Sequence, residues 1–305
     1  MGISRRTFVG QAFMMAGAAA IVGPSKAESP SETADGPLFK ISLAQWSLHR
    51  ALFGENGGRP TLDAMDFPLV ARREFGVDAV EYVAEFYYPI IKNKSSWDEL
   101  KKRCDGEGVT SNLVMCSGMG RIGDPDQGER DKSFQYHQVW IDFAAHLGCQ
   151  AVRVDAYSEG TYREQQKLAA DGMRRLAAYA EQYGIYVIAE NHGFLSSNPD
   201  WLSGVIKKAD HPLVGTLPDF GNFDGDPYRG VKRLMPFAKG VSAKSGSFDT
   251  DGNETGIDYR RMLSIVVKSG YRGYVGIEYE GRDLPEAEGI RKTKALLERV
   301  RADLW

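Results

Sequence analysis

The chain has 305 residues, 42% of them hydrophobic and 26% charged, which excludes a disordered chain, a collagen-like repeat and a disulfide-stapled miniprotein. Its 38 basic and 41 acidic side chains leave a net charge of −3, so no basic field points to nucleic acid or anionic lipid. Three cysteines, Cys104, Cys116 and Cys149, are too few for a disulfide framework or a zinc knuckle, and reduced thiols are expected, Cys149 buried among them.

Residues 1–27 read as an address. Ser4-Arg5-Arg6-Thr7-Phe8-Val9 precedes an apolar run from Ala12 to Val22, and Ser25-Lys26-Ala27 offers a small-residue cleavage site. The run is too short to span a bilayer, so no stable membrane anchor is expected. The paired arginines resemble a twin-arginine export signal, which implies a periplasmic or secreted protein and the twin-arginine translocase as a partner during export. A plain N-terminal anchor is the alternative. That route carries folded proteins, so a metal can be acquired in the cytoplasm and thiols can stay reduced while folding finishes. Without this segment the chain has 35 basic and 41 acidic residues, or −6. Residues 28–37 follow as a polar linker.

From 38 to 305 the sequence alternates. Apolar, β-branched runs at about 39–46, 77–84, 109–116, 150–156, 185–190, 213–219, 240–245 and 273–280 predict strands. Amphipathic patterns predict helices at about 66–75, 95–106, 129–147, 164–183, 199–209, 227–237, 256–269 and 285–303. Gly76, Gly108, Gly148, Gly184 and Gly270 each stand between a helix and the next strand, where a left-handed residue closes a helix. Ser96-x-x-Glu99 reads as a capping box, and Pro227 and Pro285 suit first helical turns. Eight β-then-α units predict an α/β fold, a single (β/α)8 TIM-barrel domain with catalytic function. The rival is a doubly wound sheet, on the warrant of Gly118-Met119-Gly120-Arg121-Ile122-Gly123. It fails because Asp124-Pro125-Asp126 follows where the dinucleotide fingerprint needs a helix.

Such a barrel carries its chemistry at the carboxyl ends of its strands. Those ends offer Gln45 and Ser47, Glu81, Arg153 and Asp155, Glu190 and His192, Asp219, Ser242 and Lys244, then Glu278 and Glu280. Carboxylates that converge in a barrel need ion pairs or a cation, so these acids predict a divalent metal, pairs with Arg153 and Lys244, or both. Among the five histidines, His137 and His146 read as surface or packing residues and His211 as a loop residue. His49 stands near the mouth, and His192 is placed to bond a substrate hydroxyl or move a proton. Trp46, Tyr82, Phe86 and Phe220 offer apolar faces to a ligand, or pack the mouth.

Three strings carry a resemblance: Val187-Ile188-Ala189-Glu190-Asn191-His192-Gly193, Leu217-Pro218-Asp219-Phe220-Gly221-Asn222 and Gly276-Ile277-Glu278-Tyr279-Glu280-Gly281. With the opening Leu43-Ala44-Gln45-Trp46-Ser47-Leu48-His49, they resemble the xylose isomerase-like barrels, in particular the sugar phosphate isomerase/epimerase group. The resemblance implies one divalent metal held by Glu190, Asp219 and Glu278. The family's fourth ligand, a strand-7 histidine, is replaced here by Ser242 in Val241-Ser242-Ala243-Lys244-Ser245. Loss of the imidazole favours manganese, magnesium or cobalt over zinc. Water, Asn222 or His192 are candidates to complete the shell, and a metal-free site is the alternative.

The family mechanism implies Glu190 and Glu278 as acid/base pair on an enediolate, with Lys244 stabilising its oxygen. Glu81, Arg153, Asp155, His192, Asn222, Trp46 and His49 are then the substrate-binding candidates. The expected function is an exported sugar isomerase or epimerase acting on a free keto- or aldo-sugar, since no segment reads as a phosphate cradle. A lyase or hydratase acting on a keto-sugar or keto-glycoside shares the same intermediate. A catalytically idle carbohydrate-binding barrel is a third reading. An apurinic-site endonuclease is excluded by negative charge, the export signal and too few histidines for a multi-zinc cluster.

Overall fold

The computed structural model describes residues 36–55 and 58–305. The expected signal at 1–27 and the expected linker up to residue 35 lie outside the described residues. Each predicted strand forms, shorter than its apolar run: β1 Lys40–Ala44, β2 Ala79–Val83, β3 Thr110–Cys116, β4 Ala151–Val154, β5 Tyr186–Glu190, β6 Val214–Leu217, β7 Val241–Ser245 and β8 Tyr274–Tyr279. They pair in parallel in the order β6-β5-β4-β3-β2-β1-β8-β7. The ring closes between β6 and β7 through a short seam. The Ser242 N–H donates to the Pro218 carbonyl at 2.9 Å, and the Phe220 N–H donates to the Ser242 carbonyl at 3.1 Å. Asp219 and Ser242 are thus bridge partners at the closing edge.

The helices are α1 His49–Phe53, α2 Phe67–Phe75, α3 Lys94–Glu107, α4 Gln127–Leu147, α5 Tyr162–Ala180, α6 Pro199–Ala209, α7 Pro227–Leu234, α8 Tyr259–Lys268 and α9 Glu286–Leu304. Gly76, Gly108, Gly148 and Gly184 close their helical segments in the left-handed conformation, with φ of 61°, 64°, 81° and 67°. Pro227 opens α7 behind the Asp226 cap.

Several boundaries differ. The Ser96–Glu99 capping box does not form: Asn93 caps α3 by accepting from the Ser95 N–H at 3.2 Å, and Glu99 pairs with Arg103 instead. Pro285 is the cap of α9 and lies just before its first turn. Pro236 turns the end of the seventh predicted helix into a 3₁₀ turn. The eighth starts at Tyr259 because Asp258 caps it. The short helix α1, after β1, has no counterpart in the sequence reading.

Between sheet and helices lies a continuous apolar layer that includes Phe39, Val80, Tyr82, Trp97, Phe143, Trp201 and Val275. Inside the barrel a smaller cluster of Ala44, Val83, Leu113, Met115, Ala151, Ile188 and Leu217 forms the floor beneath the mouth. Such a filled interior makes the barrel a core and leaves chemistry to its carboxyl end. The three cysteines are free and buried. Gly118 and Gly120 have φ of 73° and 80° and shape the loop between β3 and α4, which agrees with setting the dinucleotide reading aside. No helix among the described residues is long and apolar enough to cross a membrane.

Candidate active site

Glu190 ends β5, Asp219 follows β6, and Glu278 lies in β8. All three are buried, and one oxygen from each lies within 4.8 Å of the others. The chain around Asp219 is built to hold it. Pro218 fixes φ at the strand end. The Asn191 side chain then clamps the Asp219 backbone in both directions, accepting from its N–H at 2.8 Å and donating to its carbonyl at 3.1 Å. Oδ1 accepts from the Gly221 and Asn222 N–H groups at 2.8 and 2.9 Å, which turns Oδ2 toward the cluster. A Cβ at residue 221 would meet Lys244 Cδ at 2.9 Å, so a larger residue there would have to displace the lysine side chain.

The Ser242 hydroxyl sits between two of the acids. Its Oγ is 2.7 Å from Asp219 Oδ2 and 2.6 Å from Glu278 Oε2. A hydroxyl has one proton to give. One of these short contacts therefore requires a second proton on a carboxyl, or a cation at the shared oxygens. Burial pushes the Glu190 carboxyl up to about 8, against Arg153 and with Glu278 and Asp219 adding to the rise. Burial likewise pushes Asp219 up to about 6, against Lys244.

Two cations partly balance the acids. Burial opposes the Arg153 charge, but Glu190 and Asp155 outweigh it and hold the guanidinium protonated. Arg153 reaches Glu190 Oε2 at 2.7 Å and Asp155 Oδ1 at 3.1 Å, and donates to Ser117 Oγ. Lys244 is held well above its ordinary pKa, burial being outweighed by Asp219, Glu278, Glu280 and Glu190. Its Nζ donates to Asn222 Oδ1 at 3.0 Å and pairs with Glu280 at 3.3 Å. Asn222 in turn donates to Glu190 Oε1 at 3.1 Å, so it joins the strand-7 lysine to the strand-5 acid. A divalent cation fits this donor set: three buried carboxylates and a hydroxyl, all hard oxygen, short of positive charge.

His192 lies just beyond Glu190 and is half-exposed. Desolvation, then Arg153, pushes it down to about 4, so the imidazole is neutral at pH 7. The Tyr157 hydroxyl gives its proton to the His192 carbonyl at 2.6 Å. The 3.2 Å contact of Nδ1 with the same hydroxyl then needs the proton on Nδ1, which faces Asp155 at 3.9 Å. That leaves Nε2 as an acceptor. Tyr157 had no signal in the sequence beyond lying two residues after Asp155; Asn191 was visible only as the residue between Glu190 and His192.

The structure therefore brings together Glu190, Asp219, Glu278, Arg153, Asp155, His192, Asn222 and Lys244. It does not bring Glu81 with them. Glu81 lies a layer deeper, where Oε1 accepts from Ser42 at 2.6 Å and Asn112 at 2.9 Å. Its level is set by a register shift between Val80 and Glu81 against β3. Trp46 packs over the floor cluster and stacks on His49 with ring centroids 5.0 Å apart. His49 donates from Nδ1 to the Trp46 carbonyl at 2.8 Å and faces Glu286. Phe86 joins Trp46 at the mouth. Tyr82 and Phe220 are fully buried core residues: Tyr82 packs against Phe67, Tyr87 and Phe143, and Phe220 against Tyr259. His137 is buried and bonds the Ser133 carbonyl, His146 pairs with Asp98, and His211 accepts from the Leu213 N–H.

Comparison with known proteins gives a coherent result. The family model for the xylose isomerase-like TIM barrel matches residues 69–300. A solved xylose isomerase-like TIM barrel protein from Mycobacterium smegmatis in complex with magnesium superposes with a TM-score of 0.65 at 20% identity, over 88% of this chain and 98% of that one. The 3-keto-D-glucoside 4-epimerase of E. coli, in apo form, gives 0.68 at 18% identity, over 86% and 99%. Among curated proteins, the C-glycoside deglycosidase alpha subunit of Arthrobacter globiformis is 39% identical over 73 residues, which is 22% of this chain and about a fifth (21%) of that protein's length. With its β6–β7 seam, its strand-end acids and a family match across most of its length, the chain belongs to the xylose isomerase-like TIM-barrel family.

Proposed function

We propose that the protein is an exported sugar isomerase or epimerase that moves a proton at the carbon beside a carbonyl of a keto- or aldo-sugar. The observation that carries this reading is the buried Glu190, Asp219 and Glu278 cluster, with oxygens within 4.8 Å of one another at the carboxyl end of the barrel. The sugar epimerases that share the fold support the substrate class. The Ser4–Val9 string and the apolar run after it support export.

Glu190, Asp219 and Glu278 would hold the divalent ion, with the Ser242 hydroxyl beside them, and the ion when bound would polarise the sugar carbonyl. The rest is the work of side chains. Glu190 and Glu278 project from strands three apart around the ring. In ionised form one takes the proton from the carbon next to the carbonyl, and the C–H electron pair moves to form the enediolate. The other returns a proton to the neighbouring carbon or to the opposite face. Lys244 keeps its charge in this acidic setting and stabilises the negative oxygen. Arg153 holds Glu190 in place at 2.7 Å, and Nε2 of His192 accepts from a sugar hydroxyl.

The test is solvent exchange. With manganese present and a panel of free and glycosidic keto-sugars in D2O, the wild type should place deuterium at one carbon, and Glu190→Gln and Glu278→Gln should stop it. Near-native exchange in either variant while it still binds metal would overturn the acid/base assignment. A second reading, β-elimination from a keto-glycoside, is favoured by the match to the C-glycoside deglycosidase subunit. It starts from the same enediolate and ends with loss of an aglycone or water, so the product mass separates the two.

A further inference from the structure

We propose that the groove beside the acid cluster is a subsite for an aromatic aglycone, so that the substrate is an aryl keto-glycoside, which keeps a ring carbonyl, rather than a free monosaccharide. This rests on the sugar reading above. The groove encloses about 780 Å³. Each of its main walls is the outward continuation of a segment that ends in the candidate site. Ala156 and Tyr157 follow Asp155 after β4. Phe194 and Leu195 follow His192 after β5. Asp224 lies two residues past Asn222 after β6. The groove touches the site through Tyr157, whose hydroxyl lies 3.2 Å from His192 Nδ1.

The groove is built around an exposed aromatic residue. Phe194 is 81% exposed, the most exposed large hydrophobic side chain among those described. Its φ is +49°, a region that bulky residues avoid. Backbone strain of this kind persists only where the surroundings impose it. Here Gly193 precedes it with φ of +76°, a conformation that favours glycine, and the Ser196 and Ser197 hydroxyls accept from the N–H groups of His192 and Gly193. The ring packs edge-to-face on Tyr157, with centroids 5.0 Å apart. Tyr157 is bolted to the site by its 2.6 Å bond to the His192 carbonyl. The result is an aromatic corner beside the site, open to solvent on one side. An apolar ring fits that corner better than a charged or strongly hydrated group.

Equilibrium binding to the whole protein tests this, using methyl 3-keto-β-D-glucoside and 4-nitrophenyl 3-keto-β-D-glucoside as probes and chelator to stop turnover. Wild type should bind the aryl glycoside about tenfold more tightly than the methyl glycoside, the worth of one aromatic contact. Phe194→Ala should abolish the difference, and Phe194→Tyr should keep it. Equal binding of the two glycosides, no binding of either, or a preference that survives Phe194→Ala overturns the subsite. A Phe194-dependent preference in a protein that exchanges no carbon-bound proton upholds the subsite and overturns the epimerase reading instead.

Discussion

Loading the acid cluster with a divalent cation should expel about one proton at neutral pH. Glu190 is pushed up to about 8 and Asp219 to about 6, both chiefly by burial. At pH 7 a carboxyl of the first kind is about nine-tenths protonated and one of the second kind about one-tenth, so together they hold about one proton. A cation takes ionised ligands, so that proton must leave. Apparent affinity should therefore rise about tenfold per pH unit between pH 6 and 8 and flatten above that. The stability sign follows from the same shifts. Both carboxyls are raised above their ordinary values of 4.5 and 3.8. Their contribution to metal-free stability is full at low pH and is lost as pH rises through about 6 and then about 8. Bound cation removes that loss. Calorimetric titration with manganese in buffers of different ionisation enthalpy reads the proton directly, and melting curves with chelator or manganese across pH 5–9 read the linkage. Release near zero at pH 7 together with a flat affinity profile would refute the reasoning: the acids would then already be ionised in the metal-free protein, balanced by Arg153 and Lys244 alone.

Three further outcomes are expected. Burial pushes Glu81 up to about 7 from 4.5, and its Oε2 has no hydrogen-bond partner among the described residues. Glu81→Gln should therefore gain about 3 kcal/mol of stability above pH 8 and nothing below pH 4.5, by urea denaturation at both; an equal effect at both would sink the argument. Ser242→Ala removes the donor shared by Asp219 and Glu278 and should lower metal-free stability by about 1–3 kcal/mol while manganese binding, carried by the three carboxylates, survives; loss of metal from the variant would make the hydroxyl an essential ligand. Lys244→Met should lose about 100-fold in kcat with the circular dichroism spectrum unchanged; an unchanged rate would assign the lysine to ion pairing with Glu280.

Much of this was legible because both signals are local. A helix closed by glycine and followed by an apolar run fixes a β/α unit without knowledge of its neighbours, and it did so at Gly76, Gly108, Gly148 and Gly184. The strand-end acids were legible for the same reason, since a carboxylate closing an apolar run has one place to be in a barrel. Depth within the barrel was not. Alternation tells which face of β2 Glu81 occupies, but its level depends on the stagger between strands and on the register shift at Val80, and neither leaves a mark in the sequence. Tyr82 and Phe220 follow the inward Glu81 and Asp219, so alternation itself turns their rings outward into the helix layer and away from the mouth. Asn93 displaced Ser96 as the cap of α3 because two caps one turn apart compete and the earlier one lengthens the helix. Tyr157 and Asn191 were hidden because their roles come from reaching across to other loops.

The replacement of the family's strand-7 histidine by Ser242 ties the chemistry of the site to the export proposal. An imidazole offers a neutral nitrogen that suits zinc; a hydroxyl leaves three carboxylates and oxygen alone. An all-oxygen set still follows the general affinity order, in which copper and zinc bind more tightly than manganese or magnesium. Losing the imidazole narrows zinc's advantage without reversing that order, so the donors alone do not fix the ion. The place where the site is filled can do so, and a protein exported already folded carries the ion it met in the cytoplasm. The two proposals then predict a joint result: protein exported through its own signal should hold manganese, magnesium or cobalt, and the same chain refolded from denaturant in a zinc-containing buffer should hold zinc. Zinc in both preparations would separate the two ideas, leaving the acid cluster as a metal site and removing the export route as the source of its selectivity.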